Sequence, residues 1–192
     1  MTVGLAAFAS APLPLLPLQI LFLNLVTDVF PALALAAGEG SPDIMRQPPR
    51  KKGEPIMNTG RWLEVTAYGI AITAAVLGAM AIALLYLGMD ERQAVTVSFL
   101  TLAFAQLWHV FNMRDKGSTL LNNSIVQNSY VWGALGLCSV LLAAAVYVPI
   151  LAEVLDVTRP GLNGWLLIFG MSLLPLVAGQ IVLAVIKSRT VG

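Results

Sequence analysis

The chain has 192 residues, 58% of them hydrophobic and 11% charged, with a formal net charge of +1 and a mean hydropathy of +0.82. That excludes an ordinary soluble domain and places the chain in the membrane class. The net charge by its size says little about partners, and nucleic acid is not expected among them. The single cysteine, Cys138, excludes an intramolecular disulfide and a cysteine-based metal cluster. Its apolar neighbours read it as a small buried hydrophobe.

In chain order, residues 1–11 read as half a transmembrane helix, with no basic region that would make them a good signal peptide. The turn-rich APLPLLP follows, and then a second apolar run from about Leu18 to Ala37. Residues 38–61 are polar and proline-rich, with the basic cluster Arg50-Lys51-Lys52, and read as a loop. That cluster faces lipid headgroups, a soluble domain or plain solvent. Further apolar runs cover about Trp62–Leu87, Ala94–Phe111, Tyr130–Leu151 and Trp165–Ile186. Each is about 20 residues long and continuously apolar, which predicts helices rather than barrel strands. The expected fold is an all-α membrane protein. It is a helical bundle of about five full transmembrane helices plus a partial N-terminal one.

Trp62, Tyr86, Trp108, Tyr130, Trp132, Tyr147 and Trp165 fall near the expected span ends, as an aromatic belt requires, with Tyr68 the exception. If the 38–61 loop is cytoplasmic, that side holds nine basic residues: Arg46, Arg50, Lys51, Lys52, Arg61, Arg114, Lys116, Lys187 and Arg189. The other side holds Arg92 and Arg159. This bias predicts a cytoplasmic C-terminus.

LNLVTDVFPALAL, Leu23 to Leu35, interrupts the second run with polar groups. A carboxylate at mid-membrane costs roughly 2.5–3.5 kcal/mol on insertion scales and faces a bundle interior or a water-filled cavity. Asn24, Thr27 and Asp28 are spaced i, i+3, i+4, which predicts one helix face. Amide, hydroxyl and carboxylate oxygens suit calcium, magnesium or manganese rather than zinc or copper. Pro31 is expected to break the helix and to free the carbonyl of Thr27 as a further ligand. The residues leave two readings open, ion binding and interhelical polar packing, with ion binding favoured. Gln106 is the other deep polar group, and by chemistry alone it reads as a helix–helix hydrogen-bonding residue. His109 and Asn112 read as interface residues, Gln180 as structural, and Glu64 as snorkelling toward the membrane surface.

PLQILFLNLVTDVFPALALA, followed by SPDIMRQPPRKKGEPIM and RW, resembles the sixth membrane helix and next cytoplasmic loop of the type II, calcium-pump-like P-type ATPases. The segment AFAQLWHVFN resembles their eighth helix. The resemblance covers nearly the whole chain. It implies the end of the fifth and the whole sixth helix in residues 1–37, a cytoplasmic loop in 38–61, and a four-helix membrane bundle in 62–192. It further implies that Asn24, Thr27, Asp28 and Gln106 are cation-ligating positions. Gln106 stands where the two-site calcium pumps carry glutamate and some one-site pumps glutamine. Val29 stands where calcium pumps often carry glycine. The loop from Ser41 to Met57 would dock near the phosphorylation domain.

The family's D-K-T-G-T phosphorylation motif, nucleotide-binding domain, actuator domain and first four helices are not in this sequence. The chain is therefore expected to be a fragment, a truncated product or half of a split pump, inactive alone. It would hold no cofactor of its own and would line the path of calcium or another cation. Magnesium and ATP would act on the missing domains. The expected partners are the lipid bilayer and those N-terminal pump domains, and the expected location is the plasma membrane. A stand-alone membrane scaffold or regulatory subunit without transport is the alternative reading. A channel or secondary carrier is the third.

Overall fold

The computed structural model describes residues 1–8, 13–37, 59–113 and 124–190. Most of the expected 38–61 loop, with its basic cluster, lies outside the described residues, as do Arg114 and Lys116. Among the described residues every regular element is helical. Five helices are long and apolar enough to cross a membrane, in agreement with the all-α bundle expected.

The short α1 covers Thr2–Phe8. The second span runs without interruption through α2 (Pro17–Leu23), a π-helical stretch (Asn24–Val29) and α3 (Phe30–Ala37). Then come α4 (Thr59–Leu85) and α5 (Glu91–His109), the latter tightening into a 3-10 turn at Val110–Met113. The short α6 (Ser124–Gln127) leads to α7 (Ser129–Tyr147), α8 (Pro149–Val154) and α9 (Gly161–Thr190). The fifth apolar run is thus split. Val148 turns extended ahead of Pro149, because the residue before a proline is pushed out of the helical region.

Local chemistry sets several boundaries. Asp90 caps α5: its carboxylate accepts from the Gln93 amide at 2.8 Å, and Gln93 Oε1 accepts from the Asp90 amide, a capping-box exchange. Asn128 caps α7 by accepting from Tyr130 N, and its Nδ2 donates to Ala34 O at 3.2 Å. One asparagine therefore starts α7 and ties it to the end of α3.

The helices pack around α5. Its span is 72% buried, against 28–33% for the other four. In hydrocarbon, tight helix approach replaces the hydrophobic drive, so small side chains line the seams. Ala75, Ala79, Ala83, Ala94, Ala103 and Ala105 are all buried. α4, α5 and α9 pack against one another, while α7 packs on α3 and the π stretch. α1 leans on α4, where Thr2 and Thr73 share a hydroxyl hydrogen bond.

A close approach of α9 to its neighbours falls at Gly179. A Cβ there would stand 2.6 Å from Asn112 Nδ2 and 2.6 Å from Tyr68 Cε1. Asn112 is held by Gln180 Nε2 at 2.7 Å, and the Tyr68 ring sits edge-on to His109 at 4.5 Å, so neither can retreat freely. Gly179→Ala should destabilise the bundle by about 1–3 kcal/mol through overpacking. Gly136→Ala, whose Cβ would meet nothing within 4 Å, should be neutral or stabilising by up to about 1 kcal/mol. Unfolding in detergent checks both, and equal effects would remove the close approach at Gly179.

Candidate cation-binding site

The site helix starts where the sequence signals a start, with Pro17 in its first turn. Gln19, fully buried, reaches back so that its Oε1 accepts from Leu16 N at 3.1 Å, while its Nε2 donates to Leu155 O at 3.0 Å. This anchors the head of α2 to the end of α8. Close by, Arg92 pairs with Asp156, and the Thr96 hydroxyl accepts from Thr158 N at 2.9 Å. The segment Leu155–Thr158 therefore binds both the site helix and α5.

Seven residues after Pro17 the helix widens. In the π stretch Asn24–Val29 the hydrogen-bonded turns close over five residues instead of four, which puts more residues into each turn, although the Asn24 N–H at its start still reaches Ile20 O. The helix does not stop at Pro31. It passes through this proline into α3, and the irregularity lies one turn upstream, as a widened turn rather than a break.

The widening also changes which residues share a face. Thr27 is buried and points to α5, where its hydroxyl donates to Gln106 Oε1 at 2.8 Å. The same hydroxyl lies 2.9 Å from Leu23 O and 3.3 Å from Asp28 Oδ1. Asn24 and Asp28 are exposed on the outer side of the helix. Thus Thr27, Asp28 and Gln106 come together, whereas Asn24 is exposed, as Asp28 is.

The oxygen count matters more than any single bond. Thr27 carries one hydroxyl proton and three acceptors crowd around it: a backbone carbonyl, a carboxylate and a primary amide. One proton serves one acceptor well at a time. The Thr27 hydroxyl is therefore shared among a set of hard oxygens. Among the described residues no cluster of three or more His, Cys, Asp or Glu side chains is placed to hold a metal ion. The set therefore has one carboxylate and otherwise neutral oxygens, a composition for hard cations rather than zinc or copper.

Two other polar residues of the spans, Asn112 and Gln180, join helices. Asn112 Oδ1 accepts from Gln180 Nε2, which also lies 3.4 Å from Phe111 O. His109 Nδ1 is 3.5 Å from Asn112 Nδ2. Tyr68, the residue outside the aromatic belt, sits edge-on to His109.

Sequence reasoning missed two contributors. Gln19 carries a usable signal, because a glutamine at the third helical position after Pro17 is half of a capping box. Leu23 carries none, since it enters through its backbone carbonyl. Cys138 is buried, as its apolar neighbours imply, but nothing in the sequence points to its hydrogen bond with Val26 O.

Comparison with known proteins bears on the same helices. A family model described as "Cation transporting ATPase, C-terminus" matches residues 12–185. The calcium-transporting ATPase of Bacillus subtilis is 34% identical over 180 residues, covering 92% of this chain and 20% of that protein. A calcium-transporting ATPase of Listeria monocytogenes is 33% identical over 172 residues, covering 88% and 19%. A P-type sodium-transporting ATPase of Plasmodium falciparum is 52% identical over 59 residues, 31% of this chain and 5% of that protein. The chain spans about a fifth of the length of the bacterial relatives it matches. With a match over nearly all of its length and the expected membrane helices in place, the chain belongs to the P-type cation-transporting ATPases, as their C-terminal membrane domain.

Proposed function

We propose that this chain supplies part of the cation-binding site for ATP-driven transport, with calcium as the cargo. The observation that carries the reading is the crowding of three oxygen acceptors around the single proton of Thr27. Asp28 supplies the charge. Thr27, Gln106 and the Leu23 carbonyl supply neutral ligands, and Asn24 extends the set along the exposed face. That face carries a carboxylate and an amide in the middle of a span, so bare lipid is a poor neighbour for it. Membrane helices of the larger pump would cover it and complete the ligand cage. ATP and magnesium would be used by domains beyond this chain. The division into a site helix, a cytoplasmic loop and a C-terminal bundle, the plasma membrane and the cytoplasmic C-terminus belong to the same reading.

The choice between calcium and sodium turns on the charge of the set. One carboxylate with neutral oxygens serves a monovalent ion too, and the local likeness to a sodium-transporting relative favours sodium as the second reading.

In vesicles carrying the whole pump, Asp28→Asn should weaken the apparent cation affinity about 10–100-fold, as expected for loss of a charged ligand. Thr27→Val should weaken it less, and Thr27→Ser should restore most of it. ATP-driven uptake of radiolabelled calcium and of sodium is the measurement. Unchanged affinity in Asp28→Asn would sink the proposed site, and uptake of sodium alone would establish the second reading.

Gln106→Glu adds a second negative charge beside Thr27. It should raise selectivity for divalent over monovalent cations. The isolated chain should bind calcium weakly or not at all by calorimetry and should not hydrolyse ATP. Tight binding by the chain alone would contradict the idea that further helices complete the cage.

A further inference from the structure

Proline has no N–H, so one carbonyl upstream of Pro31 loses its helical donor. In an α-helical register that carbonyl belongs to Thr27. Carried two residues on from the π stretch that ends at Val29, the five-residue reach assigns it to Val26. Val26 is fully buried, so water cannot serve the orphan, and a buried carbonyl without a donor is costly.

A donor arrives from another helix. Cys138 Sγ lies 2.9 Å from Val26 O, and its thiol donates to that carbonyl. Cys138 is itself fully buried on α7, the helix that packs on the π stretch and α3. The choice of a thiol has a physical reason. Serine hydroxyls in helices turn back to the carbonyl four residues earlier, and this chain shows it twice: Ser98 donates to Ala94 O and the adjacent Ser139 donates to Leu135 O. The Cys138 thiol instead reaches across to the neighbouring helix. It caps the peptide that links Val26 to Thr27, the residue whose hydroxyl meets Gln106.

We propose that Cys138 is a positioning residue for the cation site: its thiol supplies the donor that Pro31 lacks, holds the π stretch, and thereby aims the Thr27 hydroxyl at Gln106. The cap stands on the geometry. Its consequence for cation affinity rests on the function proposed above.

The test is a cycle between residues 31 and 138. Pro31→Ala restores a backbone N–H to the helix, so the thiol becomes redundant. Cys138 is the only cysteine of the chain, so its S–H stretching band in infrared spectra of the full chain in lipid is unambiguous. The band should sit at the frequency of a hydrogen-bonded thiol and move toward the free-thiol position in Pro31→Ala. Cys138→Ala should lower the melting temperature by about 2–4 °C with Pro31 present, and by much less in the Pro31→Ala background. In the whole pump, Cys138→Ala should raise the cation KM about three- to tenfold, more than it lowers the maximal rate, with Cys138→Ser intermediate.

A free-thiol band in the unmodified chain, or equal melting losses in both backgrounds, would overturn the cap. A sound cap with unchanged cation KM would overturn the positioning role alone. A pump whose uptake ignores Asp28→Asn would overturn the cation site itself, which the band and the melting cycle do not depend on.

Discussion

A backbone carbonyl buried in hydrocarbon has to find its donor inside the protein, because there is no water to fall back on. Pro31 removes such a donor in the middle of a spanning helix, and much of the local architecture follows from that loss. The helix responds by widening into a π stretch over Asn24–Val29 rather than by stopping. The widened turn swings Thr27 inward against α5 and leaves Asn24 and Asp28 on the outer side. The orphaned carbonyl of Val26 meets a thiol from α7. The thiol contact from α7 thus answers one missing proton.

The second constraint is that the site must be held still. α5 is the most enclosed span and presents Gln106 to Thr27. At the end of the bundle that carries Glu91, the segment Leu155–Thr158 holds the site helix through Gln19 and holds α5 through Arg92 and Thr96. At the opposite end, Asn112 and Gln180 join α5 to α9, and Asn128 joins α7 to α3. The two helices that bring the oxygens together are therefore fastened at several points along their length. Polar cross-links of this kind are individually modest within a membrane; several spread along two helices resist sliding and rotation better than one.

The spans were legible in the sequence because crossing a bilayer demands about 20 consecutive apolar residues, and that demand is written locally. The start of α5 was legible in principle from Asp90 and Gln93, and the split between α7 and α8 from Pro149. The oxygen chemistry of Thr27, Asp28 and Gln106 was legible from residue type. Their mutual arrangement was not. A spacing of i, i+3, i+4 puts three residues on one face only of a regular α-helix, and the π stretch alters that geometry. Asn112 was legible as an interface residue and Gln180 as structural, but not the partner each would choose.

By itself the sequence determined what each segment is: apolar enough to span, polar enough at Asn24, Thr27 and Asp28 to require shielding, and short of one donor at Pro31. Tertiary structure decided which groups meet. Gln106 reaches Thr27 across 79 residues, Cys138 reaches Val26 across 112, and Gln19 reaches Leu155 across 136. Composition and periodicity act over a few turns of one helix, whereas these contacts depend on how α5, α7 and the end of α8 pack against the site helix. The need for a donor was local, and the donor that met it was not.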